Sequence, residues 1–262
     1  MTSVALFVPC YIDQLYPRMG VAALQLLERL GLDVVVPAGA ACCGQPPANA
    51  GFERQGALAL RRLVSTFAQC ERIVVPSGSC ALHIRSHAGS VGTAGAQVAA
   101  RTVELTTFLH DEVGLEAVAE LGVGFPHRVA LHIGCHGLRG LGLACPTELQ
   151  GPRFDKARAL LETVGGISFA TLQRADECCG FGGTFAVTEA AVSSRMGHDR
   201  LRDLDGSGAE ALVSTDASCL MHLDGLARRA GLALPMLHVA EVLAGTSLAA
   251  LATPPLARTA QG

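Results

Sequence analysis

Hydrophobic residues along the chain form short β-branched runs, and each run is followed by a loop rich in Gly, Pro or Ser and then by a helical pattern. Residues 34–36 and 73–75 are two such runs, and Leu24, Leu27 and Leu30 with charged residues between them show helical spacing. Runs of this kind predict buried strands, and the leucine spacing predicts an amphipathic helix. Strands that alternate with helices favour βαβ units and a parallel sheet.

The second half of the chain repeats the same alternation. We predict its strands near residues 128–133, 167–171 and 210–214, and its helices near residues 155–164, 186–203 and 219–230. These elements again predict parallel strands connected by helices.

Four sequence segments occur twice in the same order, and three of them contain cysteine. VALFVPC (4–10) matches VALHIGC (129–135), LLERLG (26–31) matches LLETVG (160–165), ACCGQ (41–45) matches ECCGF (177–181), and IVVPSGSCALH (73–83) matches LVSTDASCLMH (212–222). RTVELTTFL (101–109) matches MLHVAEVL (236–243) more loosely. Ordered matches of this kind indicate a tandem duplication.

The duplication predicts an α/β fold of two tandem βα repeats, related by a pseudo-twofold axis, each with a small parallel sheet. Glycine and proline cluster between residues 114 and 127, where we place the seam. The first domain is then 1–120, the second is 121–246, and residues 247–262 are expected to form a flexible tail.

Composition and charge exclude several classes of protein. The chain has 262 residues, a net charge of −3 and no long run of like charge, which argues against nucleic-acid binding. Half of its residues are hydrophobic and only 16% are charged, which excludes general disorder. The longest charge-free stretch, 34–52, contains three prolines and predicts no membrane span. The first ten residues lack the basic region of a secretion signal, so we expect a cytoplasmic protein.

Eight of the ten cysteines occupy equivalent loops that follow predicted strands. They are Cys10, Cys42, Cys43 and Cys80 in the first half, and Cys135, Cys178, Cys179 and Cys219 in the second. The carboxyl ends of parallel strands meet at one edge of a sheet, so each set of four is expected to converge. Free thiols in a reducing compartment point to metal binding, redox chemistry or buried packing.

Sulfur-only ligation suits an iron–sulfur cluster or a zinc ion held by four cysteines. Zinc sites usually contain Cys pairs separated by two to four residues, whereas each half here has two adjacent cysteines. Adjacent cysteines reach a single tetrahedral ion with difficulty, but a cluster offers several metal atoms. Gly44 and Gly180 follow these pairs and would let backbone N–H groups approach bound sulfide. We favour iron–sulfur, with zinc as the alternative.

Several motifs carry a family resemblance. The order C…CCG…C, present twice, resembles the cysteine-rich CCG domain that heterodisulfide reductase shares with the iron–sulfur subunits of glycolate and lactate oxidation systems. FVPCYIDQLYP, ACCGQPPANAG, DECCGFGGTFAV, STDASCL and HVAEVL resemble the lactate utilization protein A family over nearly the whole chain. The resemblance implies an electron-transfer subunit in the oxidation of L-lactate to pyruvate. It also implies two partners, a ferredoxin-motif iron–sulfur subunit and a third small subunit.

One departure bears on the type of cluster. Each repeat of the heterodisulfide reductase relatives ends in Cys-x-x-Cys and so supplies five thiolates, whereas this chain has His83 and His222 at the last position. Four cysteines per half are enough for an ordinary [4Fe-4S] cluster, and two such clusters are expected. The two histidines are candidates for an accessory ligand or for hydrogen bonding to the ligands.

The remaining candidates have plainer interpretations. We expect Cys70 to pack in the core, Cys145 to be a structural thiol, His132 to lie in the core or an interface, and His136 to make a local hydrogen bond. No residue pattern indicates an acid or base that acts on lactate, so the catalytic residues are unknown. Two other functions stay open: a cluster-dependent thiol/disulfide reductase subunit and a zinc-stabilised scaffold without catalysis.

Overall fold

The computed structural model describes residues 3–39 and 42–251. Its strands are β1 (Ser3–Leu6), β2 (Asp33–Val35), β3 (Ile73–Val75), β4 (Thr102–Glu104), β5 (Arg128–His132), β6 (Ser168–Phe169), β7 (Ala211–Ser214) and β8 (Met236–His238). Its α-helices are α1 (Cys10–Leu15), α2 (Pro17–Arg29), α3 (Gln45–Asn49), α4 (Glu53–Phe67), α5 (Gly78–His87), α6 (Thr93–Arg101), α7 (Leu105–Phe108), α8 (Leu115–Ala119), α9 (Lys156–Leu161), α10 (Phe185–Thr188), α11 (Ala190–Asp205), α12 (Ala217–Arg229) and α13 (Val239–Leu243). None of the helices within these ranges has the length and apolar character needed to cross a membrane.

The strands form two four-stranded sheets with the same topology. The first has the order β2-β1-β3-β4, the second has the order β6-β5-β7-β8, and all neighbouring strands are parallel. Ala5 pairs with Ile73 in the first sheet, and the equivalent Ala130 pairs with Leu212 in the second. The predicted α/β fold of two tandem repeats is therefore confirmed.

The two halves pack against each other through equivalent helices. Helix α2 of the first half contacts α13 of the second, and α9 of the second half contacts α7 of the first. One hydrophobic core contains buried residues of both halves, for example Leu26 and Leu27 beside Leu160 and Leu161. The reciprocal packing gives the molecule its pseudo-twofold arrangement.

The run at residues 34–36, predicted as a buried strand, forms the outermost strand β2, where Val35 is 43% exposed because only one neighbouring strand covers it. Element boundaries differ from the sequence expectations in two further places. The helix expected at 186–203 is two helices, because Glu189 leaves helical geometry (φ −119°, ψ 44°) between α10 and α11. The strand expected at 167–171 pairs only over Ser168–Phe169. Residues 120 and 121, where we place the domain boundary, lie between α8 and β5. The proposed tail starts with a 3-10 helix, Leu248–Leu251, and its later residues lie outside the described ranges.

Candidate functional site

Each predicted cysteine follows a strand at the carboxyl edge of its sheet. In the first half Cys10 begins α1 after β1, Cys42 and Cys43 precede α3, and Cys80 lies in the first turn of α5 after β3. In the second half Cys135 follows β5, and Cys219 lies in the first turn of α12 after β7. A helix N-terminus favours a thiolate, because its free N–H groups carry partial positive charge.

The thiols of each half lie close together. The Sγ atoms of Cys43 and Cys80 are 3.5 Å apart, and those of Cys179 and Cys219 are 3.1 Å apart. Cys42 accepts hydrogen bonds from Cys10 and Cys43, as Cys178 does from Cys135 and Cys179 in the other half. The structure thus brings four sulfur atoms together twice, in the same arrangement.

The cysteine thiols within a set differ in pKa. Hydrogen bonds from the Cys10 and Cys43 thiols lower the pKa of Cys42 to about 2, and the equivalent bonds lower that of Cys178 to about 2. The donated hydrogen bond to Cys42 and burial raise the pKa of Cys10, so this thiol keeps its proton. Crowded thiols cannot all ionise without a positive partner. A bound metal centre would supply that partner.

The glycines that follow the two cysteine pairs donate hydrogen bonds to cysteine sulfur and form tight turns. Gly44 N–H donates to Cys42 Sγ at 3.3 Å, and Gly180 N–H donates to Cys178 Sγ at 3.4 Å. Both glycines have positive φ, and a Cβ at either position would lie less than 3 Å from a carbonyl oxygen, that of Gly56 or of Ser193. Only glycine fits this turn without strain.

The two cysteine sets face one cavity between the halves. Among its lining residues are seven of the eight motif cysteines, all except Cys42, together with Tyr11, Phe181 and Asp216. Tyr11 and Phe181 meet edge to face across the two halves, with ring centroids 5.7 Å apart. The sites are therefore neighbours, which no spacing in the sequence shows.

Asp216 is a buried carboxylate that connects the two halves, and the sequence analysis did not single it out. Its Oδ2 atom accepts from the backbone N–H of Ser79 at 2.7 Å, and its Oδ1 atom accepts from the N–H of Ser218 at 3.0 Å. These N–H groups begin α5 and α12, the helices that carry Cys80 and Cys219. In the alignment of the two halves, Asp216 corresponds to Ser77. This difference between otherwise matching segments is the sequence feature that could have identified Asp216.

His83 and His222 occupy different environments despite their equivalent positions. His83 is buried, stacks on His87 with ring centroids 4.4 Å apart, and has no hydrogen-bond partner for Nε2 within the described ranges. Burial, followed by the charge of His87, lowers its pKa to about 4. His222 is half-buried, and its Nε2 lies 3.4 Å from Ser193 Oγ. The accessory role of either ring is still a prediction.

His132 is fully buried, as expected of a core residue, and it also lies beside the second cysteine set. A ring nitrogen of His132 and the Sγ atoms of Cys179 and Cys219 lie within 4.8 Å of one another. Burial lowers the pKa of His132 to about 3, so the ring is neutral and has a free lone pair. The signal that we overlooked is the replacement of Phe7 by His132 in the otherwise matching VALF and VALH segments.

The other two cysteines lie apart from these sets. Cys70 packs against the core of the first half, as expected. Cys145 lines a separate groove with Phe154 and Lys156. His136, for which we expected a local hydrogen bond, lines the cavity between the cysteine sets.

The donor atoms present fit a metal or iron–sulfur centre. Each set contains four thiols, and a bound cation would favour their ionisation to thiolates. In each set a glycine N–H also donates to a cysteine sulfur. Thiolate ligands with N–H donors around them are typical of iron–sulfur sites. Cys10, Cys42, Cys43 and Cys80 would hold one centre, and the four equivalent cysteines would hold the other.

Comparison with known proteins agrees with this arrangement. A model of the CCG cysteine-rich domain matches residues 4–85 and 129–224. The chain is 38% identical to lactate utilization protein A of an Exiguobacterium species over 93% of this chain and 97% of that protein. The proteins of the same name from Geobacillus kaustophilus and Bacillus subtilis are 36% and 35% identical, each over 92% of this chain and 98% of the relative.

A solved structure is similar in fold alone. The crystal structure of a hypothetical protein from Helicobacter pylori superposes with a TM-score of 0.56 at 12% identity, covering 96% of this chain and 49% of the other. The two matched domains and the relatives aligned over almost their full length show the family. This chain belongs to the lactate utilization protein A family and is built from two CCG cysteine-rich domains.

Proposed function

We propose that this chain is an iron–sulfur electron-transfer subunit of a system that oxidises L-lactate to pyruvate. The observation that carries the proposal is the presence of two equivalent four-sulfur sets facing one cavity. The relatives' name indicates lactate as the substrate of the system. Oxidation of lactate to pyruvate releases two electrons, and iron–sulfur clusters accept electrons singly. Two clusters, one in each half, could therefore hold both electrons.

The cavity supports electron relay better than the oxidation of lactate itself. Asp216 is the carboxylate in the lining, and hydrogen bonds from Ser79 and Ser218 already engage both of its oxygens. His136 also lines the cavity and could accept a proton, but lactate must lose a hydride or two electrons as well, and protein side chains accept neither. We therefore propose that the chemistry on lactate takes place on a partner subunit.

The proposed partners, which the family resemblance implies, are a ferredoxin-motif iron–sulfur subunit and a third small subunit. This chain contains no Cys-x₂-Cys-x₂-Cys run of its own, so such a partner would complete the electron-transfer chain. The compartment that we propose is the cytoplasm, where free thiols stay reduced. All ten cysteines of the chain are free thiols, in agreement with such a compartment.

A cluster-dependent thiol/disulfide reductase is the second candidate. The observation in its favour is that buried thiols of both halves, Cys43 and Cys179, line the same cavity. This function predicts turnover of a small disulfide by cluster-loaded protein and loss of that turnover in Cys43→Ser. Absence of turnover in the wild-type protein would exclude it.

Metal analysis of protein purified without oxygen tests the proposal. We expect about eight iron and about eight acid-labile sulfide per chain, four for each cysteine set. Cys10→Ala and Cys135→Ala should each lose about half of the iron and one of two EPR signals. Cys70→Ala, outside both sets, should lose none.

Two results would contradict the proposal. Near-zero iron with about two zinc ions per chain would favour the zinc-stabilised scaffold, which needs one four-cysteine site in each half. Loss of all iron from folded Cys10→Ala would show that the two sets do not bind independently. The lactate assignment is tested separately: L-lactate should reduce the clusters only when the partner subunits are present.

A further inference from the structure

We propose that His132 gives the second cysteine set a nitrogen donor that the first set lacks, so that the centre in the second half accepts an electron first. The inference rests on the proposed function, since it assumes a metal centre in each half. It assigns a role to a residue outside the eight motif cysteines and makes the two sites chemically different.

The position of His132 points to a missing partner. The side chain ends β5, is fully buried, and has no hydrogen-bond partner for either Nδ1 or Nε2 among the described residues. Buried polar groups are almost always paired, because an unpaired one costs free energy. One ring nitrogen lies within 4.8 Å of the Sγ atoms of Cys179 and Cys219. A metal centre held by these sulfurs is the partner within reach.

The first half has an apolar residue at the equivalent position. Phe7 is buried at 1% exposure and packs edge to face on Phe67, with ring centroids 5.7 Å apart. His83 is also buried with an unpaired Nε2, but among the described residues the group of a ring nitrogen and two cysteine sulfurs within 4.8 Å of one another is that of His132 with Cys179 and Cys219. Nitrogen near the cysteines at the end of the first strand is therefore specific to the second set.

A second difference between the halves also favours reduction of the centre in the second half. The buried faces of α4 and α11 have matching spacing, which places Arg200 opposite Leu63. The Arg200 side chain is fully buried and donates from Nη1 to the Arg174 carbonyl oxygen at 2.7 Å and from Nη2 to that of Ala175 at 3.3 Å. The second half therefore holds a buried guanidinium where the first half holds an aliphatic side chain.

Both differences favour the reduced state of the second centre. Reduction adds one electron to a cluster, and nearby positive charge stabilises the more negative product. Histidine ligation and hydrogen bonding to cluster sulfur also raise reduction potentials. Asp203, 3.4 Å from Arg200 Nη1, offsets part of the guanidinium charge. Asp216, which corresponds to Ser77 in the first half, acts in the opposite direction, because its negative charge lies close to Cys219 and to His132. The neutral imidazole acts through its lone pair or a hydrogen bond rather than through charge, so His132 is the residue to test first.

A potentiometric EPR titration of the iron-loaded full chain tests the proposal. We expect two reduction steps in the wild-type protein, and the step at higher potential should be the one that survives in Cys10→Ala. In His132→Phe this step should shift to lower potential while the other stays unchanged. Phenylalanine is the side chain that the first half accommodates at this position. Phe7→Leu is the matched control and should leave the second-half step unchanged.

Pulsed EPR on protein labelled with ¹⁵N-histidine provides the second measurement. A nitrogen coupling on the second-half signal should disappear in His132→Phe and persist in Arg200→Leu, although both variants lower the potential. If His132→Phe instead loses iron from the second half alone, with its circular dichroism unchanged, that loss also supports the nitrogen contact.

Two outcomes would overturn the inference. Iron-loaded His132→Phe with unchanged potentials and an unchanged nitrogen coupling would overturn it and leave the proposed function intact. Absence of iron and sulfide from the wild-type protein would overturn both.

Discussion

Equivalent residues of the two halves perform the same structural task with different chemistry. Glu104 ends β4 and accepts a hydrogen bond from Thr107 N–H at 2.9 Å, whereas His238 ends β8 and accepts one from Ala240 N–H at 3.2 Å. Each side chain caps the helix that follows. Both are buried, and burial raises the pKa of Glu104 to about 7 and lowers that of His238 to about 4. Capping in this fold is therefore sensitive to pH.

Glu104 should make the stability of the protein fall as the pH rises from about 4.5 to about 7. In this window the unfolded chain has lost the Glu104 proton, which the folded protein retains, so rising pH favours unfolding. Ionisation of the buried group costs about 3 kcal/mol once the pH exceeds 7. Glu104→Gln should remove this cost and keep the acceptor for Thr107 N–H.

Urea denaturation at pH 5 and pH 8 measures the effect. Glu104→Gln should match the wild-type protein at pH 5 and exceed its free energy of unfolding at pH 8. The exposed Glu116→Gln should follow the wild-type protein at both values. An equal difference between Glu104→Gln and wild type at the two pH values would refute the assignment.

The strand–loop–helix unit is the element that carries the chemistry. After the buried strands β3 and β7 a helix begins beside the cysteine. After the more exposed strands β2 and β6 a glycine turn directs an N–H group at sulfur. The segments that follow the central strands β1, β3, β5 and β7 each carry a single motif cysteine. The CCG loops follow β2 and β6, the outermost strands beside β1 and β5. Convergence of the sulfurs therefore depends on the order of strands in each sheet.

Gly44→Ala should disrupt the first CCG turn. Gly44 has φ +90°, and a Cβ there would lie 2.5 Å from the carbonyl oxygen of Gly56 in α4. Backbone strain and overpacking together should lower the free energy of unfolding by about 2–4 kcal/mol. The variant should also lose the iron of the first set, because the turn holds Cys42 and Cys43.

Gly51→Ala is the matched control for this prediction. Gly51 also has positive φ, at +83°, but no atom lies within 4 Å of the added Cβ. Its cost should be limited to backbone strain of about 1–2 kcal/mol, with full iron content. Equal stability and iron content in the two variants would show that the contact with Gly56 is unimportant.

At the scale of the whole molecule, the two halves pack into one continuous structure. They share one hydrophobic core, and Arg18 of α2 forms an ion pair with Glu241 of α13 at 2.8 Å. Asp216 of the second half also accepts a hydrogen bond from the backbone N–H of Ser79 in α5. Neither half could expose its side of this interface without losing buried apolar area.

Leu160→Ala should therefore destabilise both halves. Leu160 lies in the second half, is fully buried, and packs in the shared core. Its truncation should cost about 2–5 kcal/mol. The buried strand β3 lies within the first half, so hydrogen exchange of its backbone amides reports unfolding of the half that is not mutated.

Urea denaturation of metal-free, reduced protein distinguishes the possibilities. Hydrogen exchange of the β3 amides and circular dichroism should show one transition with the same midpoint, shifted equally by Leu160→Ala. The exposed Leu149→Ala should shift neither. An exchange midpoint for β3 that stays at the wild-type value in Leu160→Ala would mean that the halves unfold independently.

Local hydrophobic patterns and the internal duplication were sufficient to predict the fold class and the equivalence of the cysteine loops. Strand β3 matches its predicted run, and the α/β class follows from alternating strands and helices because each element reflects the periodicity of its own residues. Periodicity could not reveal the break at Glu189, since one residue with non-helical geometry leaves the apolar face almost unchanged. The equivalence of the cysteine loops also followed from the sequence, because duplicated segments preserve their order.

The tertiary structure was needed for everything that joins distant parts of the chain. The common cavity, the bridging role of Asp216 and the approach of His132 to Cys179 and Cys219 arise from packing between elements. A single histidine in a buried strand has the same local pattern whether its neighbours are apolar or are thiols. Its surroundings depend on which helices cover the strand, and that is set by contacts between residues far apart in sequence.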